Sequence, residues 1–177
     1  MRTLILALFG LIAVAAYADD VKMVPFKIAG GQVVKCPCSD SGPLPAESGP
    51  YKMVGAGFEL GPDSSGKHMA LIFAFNLTVD KKGKPTHVLV EDVSGSSTIT
   101  MVDDPSPRIE KKSWSGSAKP AIISESSTPW IFENKPTIMI FKVTISAKDT
   151  PDVVLYQPAY YPAKMKAAVA EFAKKNG

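Results

Sequence analysis

Beyond residue 18 the chain has a single arginine, Arg108. Guanidinium forks are the usual means of gripping phosphate or carboxylate at two points, so their scarcity argues against bidentate recognition of either group. Histidine is limited to His68 and His87. A serine or cysteine nucleophile needs a base held by an orienting group, and the chain has neither triad-like spacing nor a Gly-x-Ser-x-Gly elbow. Cysteine is confined to Cys36 and Cys38, on either side of Pro37 in "KCPCSDSGPLP". Two thiols exclude a multi-disulfide framework, and a chain of this length does not need one. No apolar run after residue 18 is long enough to span a bilayer, and no cysteine sits where a lipoprotein anchor would begin.

What is present first is an export signal. In "MRTLILALFGLIAVAAYADD" one positive charge, Arg2, precedes an apolar run from Leu4 to Ala16 and an Ala-Tyr-Ala cleavage site. Residues 1–18 are therefore expected to be a signal peptide, and 19–177 a single domain that is periplasmic or secreted, with no membrane anchor after cleavage. A domain of that size buries roughly 68–70% of its extended-chain surface. The net charge is +3, Arg2 included, with lysines and acids interspersed. That pattern serves solubility and leaves no nucleic-acid footprint.

Between residues 21 and 157 apolar side chains recur with period two in runs bounded by Gly, Pro, Ser and Asp, which is the signature of half-buried strands. "HMALIFAFNLTV" is the strongest: Leu71, Phe73, Phe75, Leu77 and Val79 share one face. Met139, Phe141, Val143 and Ile145 do the same further on. Gly83 in "DKKGKP" is expected to take a positive φ and turn the first of these strands back into a hairpin with "THVLVEDV", giving a three-strand meander over 69–102. Pro25 suggests an edge position for the first strand. The segment 39–50 reads as a long loop. The fold class that results is mainly β: an antiparallel β-sandwich, immunoglobulin-like or similar, of about eight to ten short strands. An amphipathic C-terminal helix is expected over about 162–175, with Met165, Ala168, Val169 and Phe172 along the sheet-facing stripe.

The Cys-Pro-Cys stretch admits several chemistries. A disulfide between Cys36 and Cys38 would close a very small ring with φ fixed by Pro37, so it would be strained and easily reduced. A weak thiol redox role is a second possibility, although thioredoxin-like motifs have two intervening residues beside a βαβ unit. A thiolate site for copper or zinc is a third, with His68, His87 or a methionine completing Cys36 and Cys38 only if the fold brings them close. Cross-linking to a partner and simple burial complete the set. The acid pairs are less suggestive: Glu91 and Asp92 should point to opposite faces of a strand, and Asp103-Asp104 before "PSP" reads as a solvated turn.

Aromatic residues supply large contact areas at low entropic cost. Trp114 in "KKSWSGS", and Tyr160 and Tyr161 in "YQPAYYP", are the candidate partner-binding residues, the tyrosines being placed in a loop before the helix. Trp130, beside Ile131 and Phe132, is expected to be buried. No cofactor is called for. The function expected from these features is an exported, non-enzymatic binding protein that engages a protein partner, of inhibitor or immunity type. A thiolate metal carrier is the alternative, and a weak redox protein the third reading.

Overall fold

The computed structural model describes residues 20–133 and 135–176; the expected signal peptide lies outside them. In chain order the strands are β1 (Lys22–Lys27), β2 (Val33–Ser39), β3 (Gly42–Pro43), β4 (Glu47–Ser48), β5 (Tyr51–Pro62) and β6 (Met69–Val79), then β7 (Pro85–Asp92), β8 (Ile99–Asp104), β9 (Ser113–Ser117), β10 (Ala121–Ile122), β11 (Thr137–Ala147) and β12 (Thr150–Tyr161). A single helix follows, α1 (Met165–Asn176).

Two antiparallel sheets face each other. The first holds β4, β5, β6 and β10 in neighbouring order, with β9 also paired to β6. The second runs β12-β11-β7-β8. The alternation in β6 does what its period dictates: Leu71, Phe73, Phe75, Leu77 and Val79 are all buried. They meet the buried Met139, Phe141, Val143 and Ile145 of β11. Phe141 is the hinge of this contact, edge-on to Phe75 at 4.9 Å and to Phe73 at 5.8 Å. Each such side chain removed from water contributes about 1.5–3 kcal/mol, so these two inward faces are the main source of cohesion.

The expected meander over 69–102 does not form. β7 does pair with β8, but β6 and β7 belong to opposite sheets, and the Asp80–Lys84 turn carries the chain from one layer to the other. Period-two patterning fixes which face of a strand is buried and leaves its neighbour undetermined. Gly83 also has a different role from the one expected. It is absent from the glycines with positive φ. Instead, a Cβ there would lie 2.5 Å from Pro50 Cγ and 3.1 Å from Tyr51 Cε1, so glycine permits the turn to press against the start of β5.

A third sheet, β1-β2-β3, lies on the outer face of the second. Ile28, Val34 and Cys36 form a small separate core there with Val93 and Ile140. β1 is an edge strand, as Pro25 implies. The C-terminal helix begins slightly later than expected. Met165 is buried, Val169 packs against the main core and Phe172 is half-buried, whereas Ala168 is exposed, so the expected stripe faces inward only in part. Lys174 and Lys175 occupy its last turn, where they complement the helix dipole.

The stretch "YQPAYYP" is strand and not loop. β12 continues through Pro158, with Leu155, Gln157, Ala159 and Tyr161 alternating inward and Tyr160 outward. Proline is tolerated because β12 is an edge strand of its sheet. Opposite it, the Ile140 N–H donates to Ser94 Oγ at 2.7 Å and its carbonyl accepts from Val93, both on the β7 side. The facing Pro158 therefore directs its backbone outward, where no ladder bond is lost.

Candidate functional site

Cys36 and Cys38 both lie on β2, and both are free thiols. Residues two apart on a strand share a face but not a disulfide geometry, so extended pairing with β1 and β3 keeps the sulfurs separate. Cys36 is fully buried in the small core. Burial pushes its thiol up to about 11, and Cys38 adds to the rise. Cys38, partly exposed, is also raised by burial. Both shifts disfavour the thiolate that metal binding and disulfide exchange require.

Neither histidine joins the thiols. His68 sits on the connection between β5 and β6, its Nδ1 3.4 Å from Asp63 Oδ2. Asp63 is held below the usual carboxylate range, first by the Ser65 hydroxyl and then by the His68 backbone and ring. His87, the third residue of β7, places Nε2 2.6 Å from Asp103 Oδ1 on β8. Among the described residues no group of three or more His, Cys, Asp or Glu is arranged to hold a metal. Cys36, Cys38 and His68 are thus not gathered into such a group: the thiols lie on β2 of the third sheet, and His68 lies on the connection between two strands of the first.

The aromatic candidates divide. Trp114 is 1% exposed, inside the main core, where its Nε1–H donates to Asp104 Oδ2 at 2.8 Å and ties β9 to β8 across the layers. Its neighbour Gly116 explains the fit: a Cβ there would meet Trp114 Cη2 and Cζ2 at 2.5 Å. Tyr161 is 1% exposed as well, packed against Phe58, Phe73 and Trp130 at ring distances of 4.7, 6.1 and 5.0 Å. Burial, with the Asp92 carboxylate second, holds its phenol well above the usual range. As folded, neither ring is available to a partner. Trp130 is only half-buried, by contrast with the expectation. Tyr160 remains, 52% exposed on the outer face of β12, with the exposed Ile138 directly across the ladder.

Around Tyr160 the structure adds residues that the sequence pattern did not single out. β5 slips register against β6 between Met53 and Gly55, and the extra residue, Val54, is 58% exposed. Such a bulge re-aims a side chain. Val54 and Tyr160 line a hollow of about 190 Å³ together with Pro43, Pro45 and Pro158. Pro45 also borders a longer groove of about 640 Å³, walled by Val21, Met23, Pro37, Leu44, Val154 and Tyr156. Val21 and Met23 are 61% and 55% exposed.

The segment Pro43–Ser48, which passes from β3 to β4 beside β12, joins these hollows. Gln157 fixes it. The buried amide accepts from the Ala46 N–H at 2.8 Å and donates to the Leu44 carbonyl at 3.2 Å and to that of Pro158 at 2.8 Å. A polar side chain on the inward face of β12 thus holds the wall of the groove. The only sequence signal for it is a glutamine at an alternation position otherwise taken by Leu155, Ala159 and Tyr161. No protein-family model matches the chain, and neither a curated protein nor a solved structure matches it, so the surface along Pro43–Ser48 is interpreted from its own geometry.

Proposed function

We propose that this chain is an exported, non-enzymatic binding protein whose surface along Pro43–Ser48, with Tyr160 and Val54 at one end and Val21, Met23 and Val154 beside it, engages a protein partner. The observation that carries this reading is the clustering of exposed apolar side chains at two hollows joined by Pro45. Isolated exposed hydrophobics are ordinary; contiguous ones with polar rims are what protein interfaces use. Tyrosine and methionine are suited to such a surface, the one rigid and amphipathic, the other adaptable. An inhibitor or immunity role against a secreted toxin is the form of binding we favour, acting in the periplasm or outside the cell. The exposed strip offers a partner a ready contact area, and the sandwich beneath it supplies a rigid support.

Immobilised mature protein tests the reading by capture from native extract under non-reducing conditions. Wild type should retain a defined protein, and Tyr160→Glu and Met23→Glu should each reduce capture about tenfold or more. Ile122→Glu, an exposed apolar position on β10, should not. Capture that is absent, or equally lost in all three variants, refutes the reading.

A further inference from the structure

Three connections meet beside the start of β5. The Val79 N–H donates to the Lys112 carbonyl and the Asp80 N–H to the Pro50 carbonyl, each at 2.8 Å. Gly83 brings the Asp80–Lys84 turn against Pro50 and Tyr51. Between them opens a cleft of about 710 Å³ whose lining includes Tyr51, Lys52, Thr78, Asp80, Lys111 and Lys112.

Lys111 and Lys112 are unusual in conformation. Glu110 and Ser113 exchange two hydrogen bonds of 2.8 Å around them, which makes the pair a two-residue hairpin turn. Their φ values are 47° and 67°, both left-handed, as a type I′ turn requires. Asn-Gly fills such a turn without strain, and two lysines do not. Backbone strain of this kind concentrates at functional positions. Here it holds two lysines in the lining of the cleft.

The lining carries Lys52, Lys111 and Lys112 against Glu47 and Asp80, and the adjoining Asp80–Lys84 turn adds Lys81, Lys82 and Lys84. Lys52 is paired with Glu47 at 3.2 Å, and Glu110 with Arg108 at 3.0 Å. Asp80 accepts from the Lys81 N–H at 2.7 Å. Among the described residues, no carboxylate lies within ion-pair distance of Lys81, Lys82, Lys84, Lys111 or Lys112, all of them exposed.

We propose that this cleft seats a carboxylate-rich segment of the protein partner. The proposal rests on the protein-binding reading above and adds the chemistry of one end of the interface. The cleft shares Glu47, Ser48 and Lys52 with the apolar groove, so a segment lying in the groove runs directly into the lysines. Lysine ammoniums are point charges that suit single carboxylate contacts. Glu47 and Asp80, in the same lining, confine the positive surface to a stretch the size of one peptide segment, smaller than a bilayer or a duplex would cover. The concave shape favours a projecting segment in the same way.

Fluorescence anisotropy with a labelled octaglutamate peptide at about 50 mM salt tests the assignment directly. Wild type should bind saturably and lose about tenfold in affinity by about 200 mM salt, through screening. Lys111→Asn/Lys112→Gly, which keeps the turn and relieves its strain, should melt at or above the wild-type temperature while binding about fivefold or more weakly. Lys164→Gln/Lys166→Gln, near the start of α1, should bind like wild type. The assignment is overturned if wild type shows no saturable binding, if both double variants lose equally, or if phosphatidylglycerol vesicles or a DNA duplex compete for Lys111 and Lys112 more tightly than the peptide. Failure of the peptide with Tyr160-dependent capture intact removes this assignment alone; failure of capture removes the protein-binding reading beneath it.

Discussion

Replacing Gln157 by leucine should be among the most costly single changes outside the apolar core. The side chain is buried and forms three hydrogen bonds, two of them to the crossing segment at Ala46 and Leu44. Leucine nearly matches its volume, so the substitution leaves little cavity and isolates the polar term. The Ala46 N–H and the Leu44 carbonyl lose their partner, at about 1–3 kcal/mol for each group left buried. Partial lifting of the segment toward water offsets some of this, and a net loss of about 3 kcal/mol is expected. At roughly 2–4 °C per kcal/mol for a domain of this size, Tm should fall by about 6–12 °C. Scanning calorimetry on the mature protein reads this directly. Gln157→Glu supplies a control of opposite character: it retains the acceptor for Ala46 but turns a carboxylate toward two carbonyl oxygens. Its larger loss should be partly recovered below about pH 5, where a protonated carboxyl can donate again. A leucine variant that melts within about 2 °C of wild type would refute the claim that Gln157 secures the groove wall.

Three further outcomes follow from the core and the thiols. Gly116→Ala should destabilise by about 1–3 kcal/mol, because its methyl meets the Trp114 ring at 2.5 Å, and should shift tryptophan emission as the indole moves off Asp104; unchanged melting and emission would contradict the packing described. The Cys36 thiol is raised from an ordinary 9.0 to about 11, so the fold favours its protonated form. The associated stability is whole below about pH 9 and is lost as pH climbs toward 11, by about 2–3 kcal/mol. Urea melts across that range should show the slope in wild type and a flatter one in Cys36→Val. Iodoacetamide should label the partly exposed Cys38 in the folded protein and reach Cys36 only on unfolding.

The strands were legible where alternation was strong. β6 and β11 carry large apolar residues at every second position, and burial follows them residue by residue. Which strands would be neighbours was not legible, since β6 and β7 have compatible patterns and the turn between them could close a hairpin or cross between layers. β12 was obscured by Pro158, although the inward series from Leu155 to Tyr161 runs through it unbroken; extending period two across the proline would have separated Tyr160 from Tyr161. Trp114 was misleading for a different reason. Its Ser and Gly neighbours look like loop, but Gly116 is small because the indole lies over it. The exposed position of Val54 depends on a register slip that only pairing with β6 defines, and the basic cleft on three connections far apart in the chain.

The outward-turned backbone of Pro158 bears on how copies of this molecule can associate. A border strand with free amides is a template on which an incoming chain can be laid down, and repeated addition at two such borders builds a fibre. In the four-stranded sheet the β12 border presents Pro158 and carries the Pro43–Ser48 crossing beside Gln157, and β8 forms the other border. An incoming strand therefore meets proline and the crossing at this end of β12, and meets neither at β8.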